Sequence, residues 1–432
     1  MAIATAQQTH RGASNGRTSV SAEFRVFAAA TTVGLLHAVD DAVLNRQPGV
    51  PVGQHLPALL VTLLVAAAGL LAFRRVRPGL RAALALTFGV LAAVNGGLDA
   101  IHVINGSVSG SDVTGLFAAG AGVVLVALAG YLPFRHRGES GHGRLRTWAN
   151  RGIATVATVL FVVFVLLAFS VAIVQTHKYR AEIGSPPSDA YRAVGFESTD
   201  GLRLSGWYTP SRNRAAVIVV SSARGDRNGS LEHAELLASH GYGVLLYDAR
   251  GTGESEGSPN GYGWEWEHDV AGAIEFLQEQ PEVDPTRIGG LGLSTGADVL
   301  IEVAASNDDL RAVVGDGATG RSIADMPPDP GVAGLSLAPV FLGVRLLSGT
   351  SPGAPLEELA AQVAPTPLLL VAAGSLPQEI EMNAVYAAAA QEPVELWELP
   401  QVRHTAAIRE VAEEYERRVV AHFDRALVQV AN

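Results

Sequence analysis

The sequence predicts two successive architectures: a helical transmembrane domain of about five spans, then an α/β domain built on a mostly parallel sheet with helices on both faces. Three observations predict it. The charge balance changes sign near Thr176: residues 1–175 carry 13 Lys+Arg against 6 Asp+Glu, and residues 176–432 carry 18 against 36. The first part contains five apolar runs, each approaching the ~20 residues a helix needs to cross a bilayer core. The second part alternates short, nearly continuous apolar runs with segments of 3–4 apolar spacing, the pattern of buried parallel strands separated by helices.

The five runs are 24–44, 56–73, 80–104, 113–133 and 153–174. The last has an uninterrupted apolar stretch from Val159 to Ala168; the first is the weakest, because it carries His37, Asp40 and Asp41. Later spans follow it and no small-residue cleavage site stands out, which argues against a cleaved signal peptide. The alternative for the whole region is a soluble helical domain with buried helices. Residues 1–23 read as a polar, disordered tail.

Basic loops set an expected orientation. Arg74, Arg75, Arg77 and Arg81 fall between the second and third runs, and Arg135, Arg137, Arg144, Arg146 and Arg151 between the fourth and fifth. The segment from Asn105 to Asp112 has no basic residue. Arginine-rich loops stay on the cytoplasmic side, so the N-terminal tail with Arg11 and Arg17 is expected inside and the acidic domain outside a cytoplasmic (inner) membrane. Arg46 is the one basic residue on the wrong side.

An acidic domain offers nucleic acid no electrostatic footprint, so no such partner is expected. With no cysteine in the chain, disulfides, thiolate metal sites and a cysteine nucleophile are excluded.

Residues 176–432 read as one domain. Expected strands include 216–220, 244–248, 288–293, 312–316, 368–374 and 394–399, with helices near 231–239, 266–279, 297–305 and 411–427. Gly292-Leu293-Ser294-Thr295-Gly296 ends a strand and opens a helix, the context of a nucleophile elbow. A serine on so sharp a turn needs neighbours without Cβ atoms. Its hydroxyl also needs a base, itself oriented by a carboxylate. Only His404 and His422 follow Thr295; His404 lies between the last strand and the last helix and is the expected base, whereas His422 sits inside that helix.

Ser294 in its elbow, the Asp248-Ala249-Arg250-Gly251-Thr252-Gly253 turn and the run from Leu396 to His404 together resemble the α/β-hydrolase superfamily. The nearest likeness is to its prolyl-oligopeptidase-like and acyl-esterase-like branches, bacterial membrane-anchored members included. The resemblance covers roughly Tyr191 onward and implies a serine hydrolase with Ser294, His404 and an acid. The family often places an aspartate after the strand ending at Gly374; this chain offers Glu379 and Glu381 there, and Asp316 at the end of the preceding strand. Glu379 is the expected acid, Asp316 the main alternative. Where relatives carry His-Gly after the third strand, this chain has Ser221-Ser222, so Ala223 and Thr295 are the expected oxyanion donors. Asp248 and Arg250 are expected to fix the loop beside the elbow. Residues 321–365 read as an insertion at the usual lid position, apolar enough to line an acyl pocket.

The expected function is therefore cleavage of an ester, thioester or amide through an acyl-enzyme, on a small-molecule or lipid-like acyl substrate, with membrane lipids around the spans and no cofactor. An acyltransferase using the same triad, and a non-catalytic membrane sensor with a hydrolase-like binding domain, are the alternatives. The polar residues in the first and third runs raise a separate expectation. His37 with Asp40 and Asp41, and Asn95 with Asp99 and His102, fall on helix stripes that could meet at one level and hold a substrate head group or a metal, for which His37, Asp41, Asp99 and His102 are the candidate ligands.

Overall fold

The computed structural model describes residues 22–46, 48–104, 110–135, 152–153, 156–177, 183–223, 225–326, 331–376 and 378–429. The tail before Ala22 and the residues from Arg137 to Arg151 lie outside that description. The chain forms two compact units, one of residues 1–46 and 51–174, the other of residues 47–50 and 175–432.

The first unit contains five helices long and apolar enough to cross a membrane: α1 (Ala22–Leu44), α2 (Val52–Phe73), α3 (Pro78–Ile104), α4 (Gly110–Arg135) and α5 (Val156–Thr176). They fall on the five apolar runs within a few residues, and their length and composition suggest a membrane protein. Much of their apolar surface faces outward, Leu64, Leu71, Val123 and Val159 among it. Hydrocarbon gives helices no hydrophobic reason to associate, so close packing must do it. Small residues supply it between α3 and α4. A Cβ on Gly96 would lie 2.2 Å from the Gly115 carbonyl oxygen, and one on Gly122 would lie 2.5 Å from the Ala93 nitrogen. Charges are paired: Glu23 lies 3.5 Å from Arg81 and 3.8 Å from Arg135.

The second unit is built on eight strands: β1 (Arg192–Glu197), β2 (Arg203–Thr209), β3 (Ala216–Val220), β4 (Gly243–Tyr247), β5 (Ile288–Leu293), β6 (Leu310–Asp316), β7 (Leu368–Ala373) and β8 (Val394–Leu399). They lie in the order β1-β2-β4-β3-β5-β6-β7-β8. From β4 to β8 all pairings are parallel; β2 runs antiparallel to both β1 and β4. Alternate residues of a strand feed opposite cores. Ala216, Ile218 and Val220 join one cluster, Val217 and Val219 the other. In β7, Leu368 and Leu370 divide from Leu369 and Val371 in the same way. Helices α6 (Leu231–Ser239), α7 (Glu267–Gln278), α8 (Thr295–Ala304), α9 (Gly331–Ser348), α10 (Leu356–Ala360), α11 (Glu379–Ala389) and α12 (Ala412–Phe423) complete the unit. Buried Ala234 and Leu237 of α6 and Tyr415 and Val419 of α12 cover one face, Val270 and Ile274 of α7 and Val299 and Leu300 of α8 the other.

Candidate active site

The candidate catalytic residues gather at the C-terminal ends of the central parallel strands. Ser294 follows β5 with φ 53° and ψ −118°, a conformation side chains rarely adopt. The flanking glycines make it attainable. A Cβ on Gly292 would sit 2.3 Å from backbone atoms of Gly296, and one on Gly296 would sit 2.4 Å from the Val220 carbonyl oxygen. The Ser294 N–H donates to the Asp316 carbonyl at 2.8 Å, tying the elbow to the end of β6. Ser294 is half-buried between fully buried neighbours, so the backbone lifts one hydroxyl out of the core.

His404 lies in the loop after β8. Its N–H donates to the Ser375 hydroxyl oxygen at 2.8 Å, and its Nδ1 lies 2.7 Å from Glu379 Oε2. Glu379 is 2% exposed, and its other oxygen accepts the Ala373 N–H at 2.7 Å. Both carboxylate oxygens are thus engaged, which fixes the carboxylate plane and through it the imidazole. The His404 ring also packs on Gly317, the residue after Asp316: a Cβ there would approach its Cε1 to 2.8 Å. Since Asp316 holds the Ser294 backbone, the same β6 terminus braces both elbow and histidine. Burial pulls the His404 pKa down, but the bond to Glu379 and the negative potential of Glu379, Asp316 and Asp298 outweigh it, leaving the pKa raised.

Of the competing acids, Glu381 is exposed. Asp316 is 1% exposed, and neither of its carboxylate oxygens has a hydrogen-bond partner among the described residues. Burial raises its pKa to about 7; the neighbouring Tyr415 hydroxyl draws it down without being aligned for a hydrogen bond. His422 is buried in α12, where burial lowers its pKa to about 4. Thr295 opens α8, so its N–H is one of the first-turn donors without an intrahelical acceptor. Ala223 stands in the turn after β3, the strand whose Val220 is in register with Gly292.

A family model described as X-Pro dipeptidyl-peptidase (S15 family) matches residues 183–366. An uncharacterized protein of Mycobacterium tuberculosis, MT2364, is 32% identical over 265 residues, 59% of this chain and 88% of that one. The chain belongs to the α/β-hydrolase superfamily. It is a serine hydrolase. The uncharacterized protein YfhR of Escherichia coli is 29% identical over 51% of this chain and 76% of its own length. The thiohydrolase aneE of Aspergillus aculeatus is 32% identical over 29% of this chain and 40% of its own.

Asp248 receives the Arg227 guanidinium at 2.6 Å and the Glu254 N–H at 2.9 Å. Arg250 bridges Asp269 at 2.7 Å and Asp200 at 2.9 Å. Both are fully engaged in holding the loop, as a structural role requires. In the expected lid region, α9 buries Val340, Phe341 and Val344 and exposes Leu342 and Leu346. Phe341 lies 4.7 Å from the Tyr262 ring, and the neighbouring Gly261 carbonyl accepts the Thr295 hydroxyl at 3.1 Å. An apolar helix therefore reaches the residues that brace the elbow.

His37 meets Asp99, and His102 meets Asp112. Asp40 accepts the Thr114 hydroxyl at 2.7 Å; Asp41 is half-buried. Sequence reasoning also missed Ser375 and Thr114, since single hydroxyl residues in a loop and a span carry no pattern.

Proposed function

We propose that this membrane protein hydrolyses an acyl ester or thioester through an acyl-enzyme, with Ser294 as nucleophile, His404 as base and Glu379 as the orienting acid. The observation that carries the reading is the His404–Glu379 pair at 2.7 Å, braced on the strand end that holds the Ser294 elbow. Ser294 Oγ attacks the acyl carbon as its proton passes to His404 Nε2. Glu379 accepts the Nδ1–H throughout, which keeps Nε2 free to take the proton and stabilises the imidazolium that forms. The N–H groups of Ala223 and Thr295 receive the developing oxyanion; such a donor contributes about 10²–10³ in rate. Collapse expels the alcohol or thiol with the proton from His404, and water then repeats the sequence on the acyl-enzyme.

One observation favours an apolar acyl group, α9 presenting Phe341 beside Tyr262, and the name of one relative, a thiohydrolase, favours a thioester. The arginine-rich loops favour, by the positive-inside rule, a hydrolase on the extracytoplasmic side of a cytoplasmic membrane, with membrane lipids around the spans.

The deciding experiment treats the full-length protein in detergent with a fluorophosphonate probe, then assays acyl esters, acyl thioesters and X-Pro peptides. Wild type should be labelled and Ser294→Ala unlabelled, with turnover on esters or thioesters exceeding that on peptides. Labelling of the Ser294→Ala variant would remove the nucleophile assignment. Preferential X-Pro cleavage would replace the substrate class, and product esters formed from added alcohols in place of free acid would make the enzyme a transferase. A periplasm-dependent reporter fused after Asn432 should be active; activity of a cytoplasm-dependent one instead would reverse the orientation.

A further inference from the structure

The segment that leaves β6, from Asp316 to Gly320, runs beside the nucleophile elbow and under the base, and its backbone is held group by group. The Asp316 carbonyl receives the Ser294 N–H at 2.8 Å, and the Gly317 N–H donates to the Val371 carbonyl of β7 at 2.8 Å. Past Gly317 the partners are two buried side chains. Asp298 accepts the Thr319 N–H at 2.9 Å on one carboxylate oxygen and the Gly320 N–H at 3.1 Å on the other. The Asn383 amide donates to the Ala318 carbonyl at 2.8 Å.

Both side chains stand on helices that carry the triad, each one turn from a proposed catalytic residue: Asp298 from Ser294 on α8, Asn383 from Glu379 on α11. Asn383 is 0% exposed. Its amide also donates to the Glu379 carbonyl at 2.8 Å, so both of its hydrogens are committed. That second bond fixes the amide against its own helix, and the first then fixes Ala318 relative to the helix of the acid.

The His404 ring rests on this segment. A Cβ on Gly317 would lie 2.8 Å from His404 Cε1 and 3.0 Å from Nδ1, so main chain and ring are in direct contact. The bond from Nδ1 to Glu379 Oε2 sets one point of the imidazole, but a ring held at one point can still swing. The Gly317 main chain limits that swing from one side, and Gly317 is bonded to Ala318, whose carbonyl Asn383 holds.

We propose that Asn383 is a positioning residue of the triad: by holding the Ala318 carbonyl it sets where the Gly317 main chain meets the His404 ring, and so how Nε2 approaches Ser294. The inference rests on the assignment of Ser294, His404 and Glu379 given above, and extends it to a side chain that touches none of the reacting atoms.

The test uses full-length protein in detergent, with p-nitrophenyl butyrate turnover and fluorophosphonate labelling as paired measures. Asn383→Leu keeps the bulk and removes both donors. Its kcat and labelling rate should fall about 10–10²-fold, the cost of a base misplaced by about an ångström, while KM stays within about twofold. A kcat and labelling rate equal to wild type would overturn the positioning role, and so would a loss carried by KM alone. Labelling of wild type that Ser294→Ala abolishes tests the triad separately; without it both readings fall, and with it only the role of Asn383 is at stake. If Asn383→Leu does not fold, the isosteric Asn383→Asp decides. Its buried carboxyl has one O–H for the Ala318 carbonyl when protonated and none when ionised, and burial favours the protonated form. Its labelling rate as a fraction of wild type, measured well below the Tm of both, should rise as pH is lowered from about 9 to about 6; a fraction that stays flat near one would overturn the proposal.

Discussion

Replacing Glu379 by Gln changes one carboxylate oxygen to an amide NH₂ and leaves the shape unchanged, yet the structure predicts a large loss. Glu379 Oε1 accepts the Ala373 N–H, and Oε2 faces His404 Nδ1. In the Glu379→Gln variant the amide oxygen must stay on the Ala373 N–H, because leaving that buried donor unsatisfied costs about 1–3 kcal/mol. The NH₂ then points at Nδ1, which must become an acceptor, and the imidazole proton moves to Nε2. A histidine so held cannot accept the Ser294 proton. The wrong tautomer and the lost stabilisation of the imidazolium should together lower kcat/KM by about 10³–10⁴, or about 4–5.5 kcal/mol of barrier. Asp316→Asn should cost under about tenfold, as Asp316 acts on His404 only through its field. Initial rates on an unactivated ester, with fluorophosphonate labelling rates as a second measure, compare the two variants. A Glu379→Gln enzyme within tenfold of wild type, beside an Asp316→Asn enzyme crippled a hundredfold, would move the acid to β6 and refute the reasoning.

Three further outcomes follow from the same geometry. On the proposed mechanism His404 must be neutral, and its pKa is raised, so the acid limb of kcat/KM should fall with decreasing pH through a midpoint above 6.5; a midpoint below 6.5 would contradict the field described. Gly296→Ala places a Cβ 2.4 Å from the Val220 carbonyl and 2.8 Å from that of Ser221, and the displaced elbow should lose at least about 10² in labelling rate; a normal rate would show the contact to be soft. Asp316 titrates near 7 in the fold and near 3.9 unfolded. A raised folded pKa stabilises fully only below the unfolded value, and that contribution disappears as pH rises through about 7. The Tm of the Asp316→Asn variant, relative to wild type, should therefore climb between pH 4 and pH 7.5; parallel Tm profiles would show that Asp316 ionises freely.

The central strands and the spans were legible because each is an apolar run of the right length. The outer hairpin was not. Arg192–Glu197 is largely exposed and reads as a polar segment with scattered apolar residues, so its strand character comes from pairing with β2 and from no pattern of its own. Glu379 was legible as a candidate by its place after β7, but its distance from His404 depends on the path of the loop from Gly374 to Gln378, which has no period to read. In α1 helical phase alone could not choose between Asp40 and Asp41, at three and four residues from His37. The last turn, Asp40–Leu44, is wound as a π-turn, and that wider turn changes the angle at which each aspartate leaves the helix. Asp112 was assigned to the loop before α4, although it lies inside the helix.

The buried charges of the hydrolase unit fall into two kinds, and the division bears on which acid serves His404. Asp248 and Asp269 are held by Arg227 and Arg250 through short, multiple hydrogen bonds, so their negative charge is matched where it stands and serves only to fix loops. Asp298 and Asp316 have no such cation and are pushed up to about 7 by burial; they lie close enough to His404 for their fields to raise it. An orienting acid must be ionised while the histidine is still neutral, because it has to stabilise the imidazolium as that forms. A group that is half-protonated near pH 7 and has no aligned donor meets that demand poorly. Glu379 has the geometry the proposed role needs: one oxygen is committed to a backbone N–H and the other faces the imidazole Nδ1. Asp316 then has a different use, through its backbone, whose carbonyl receives the Ser294 N–H and holds the elbow against the strand that also braces the base.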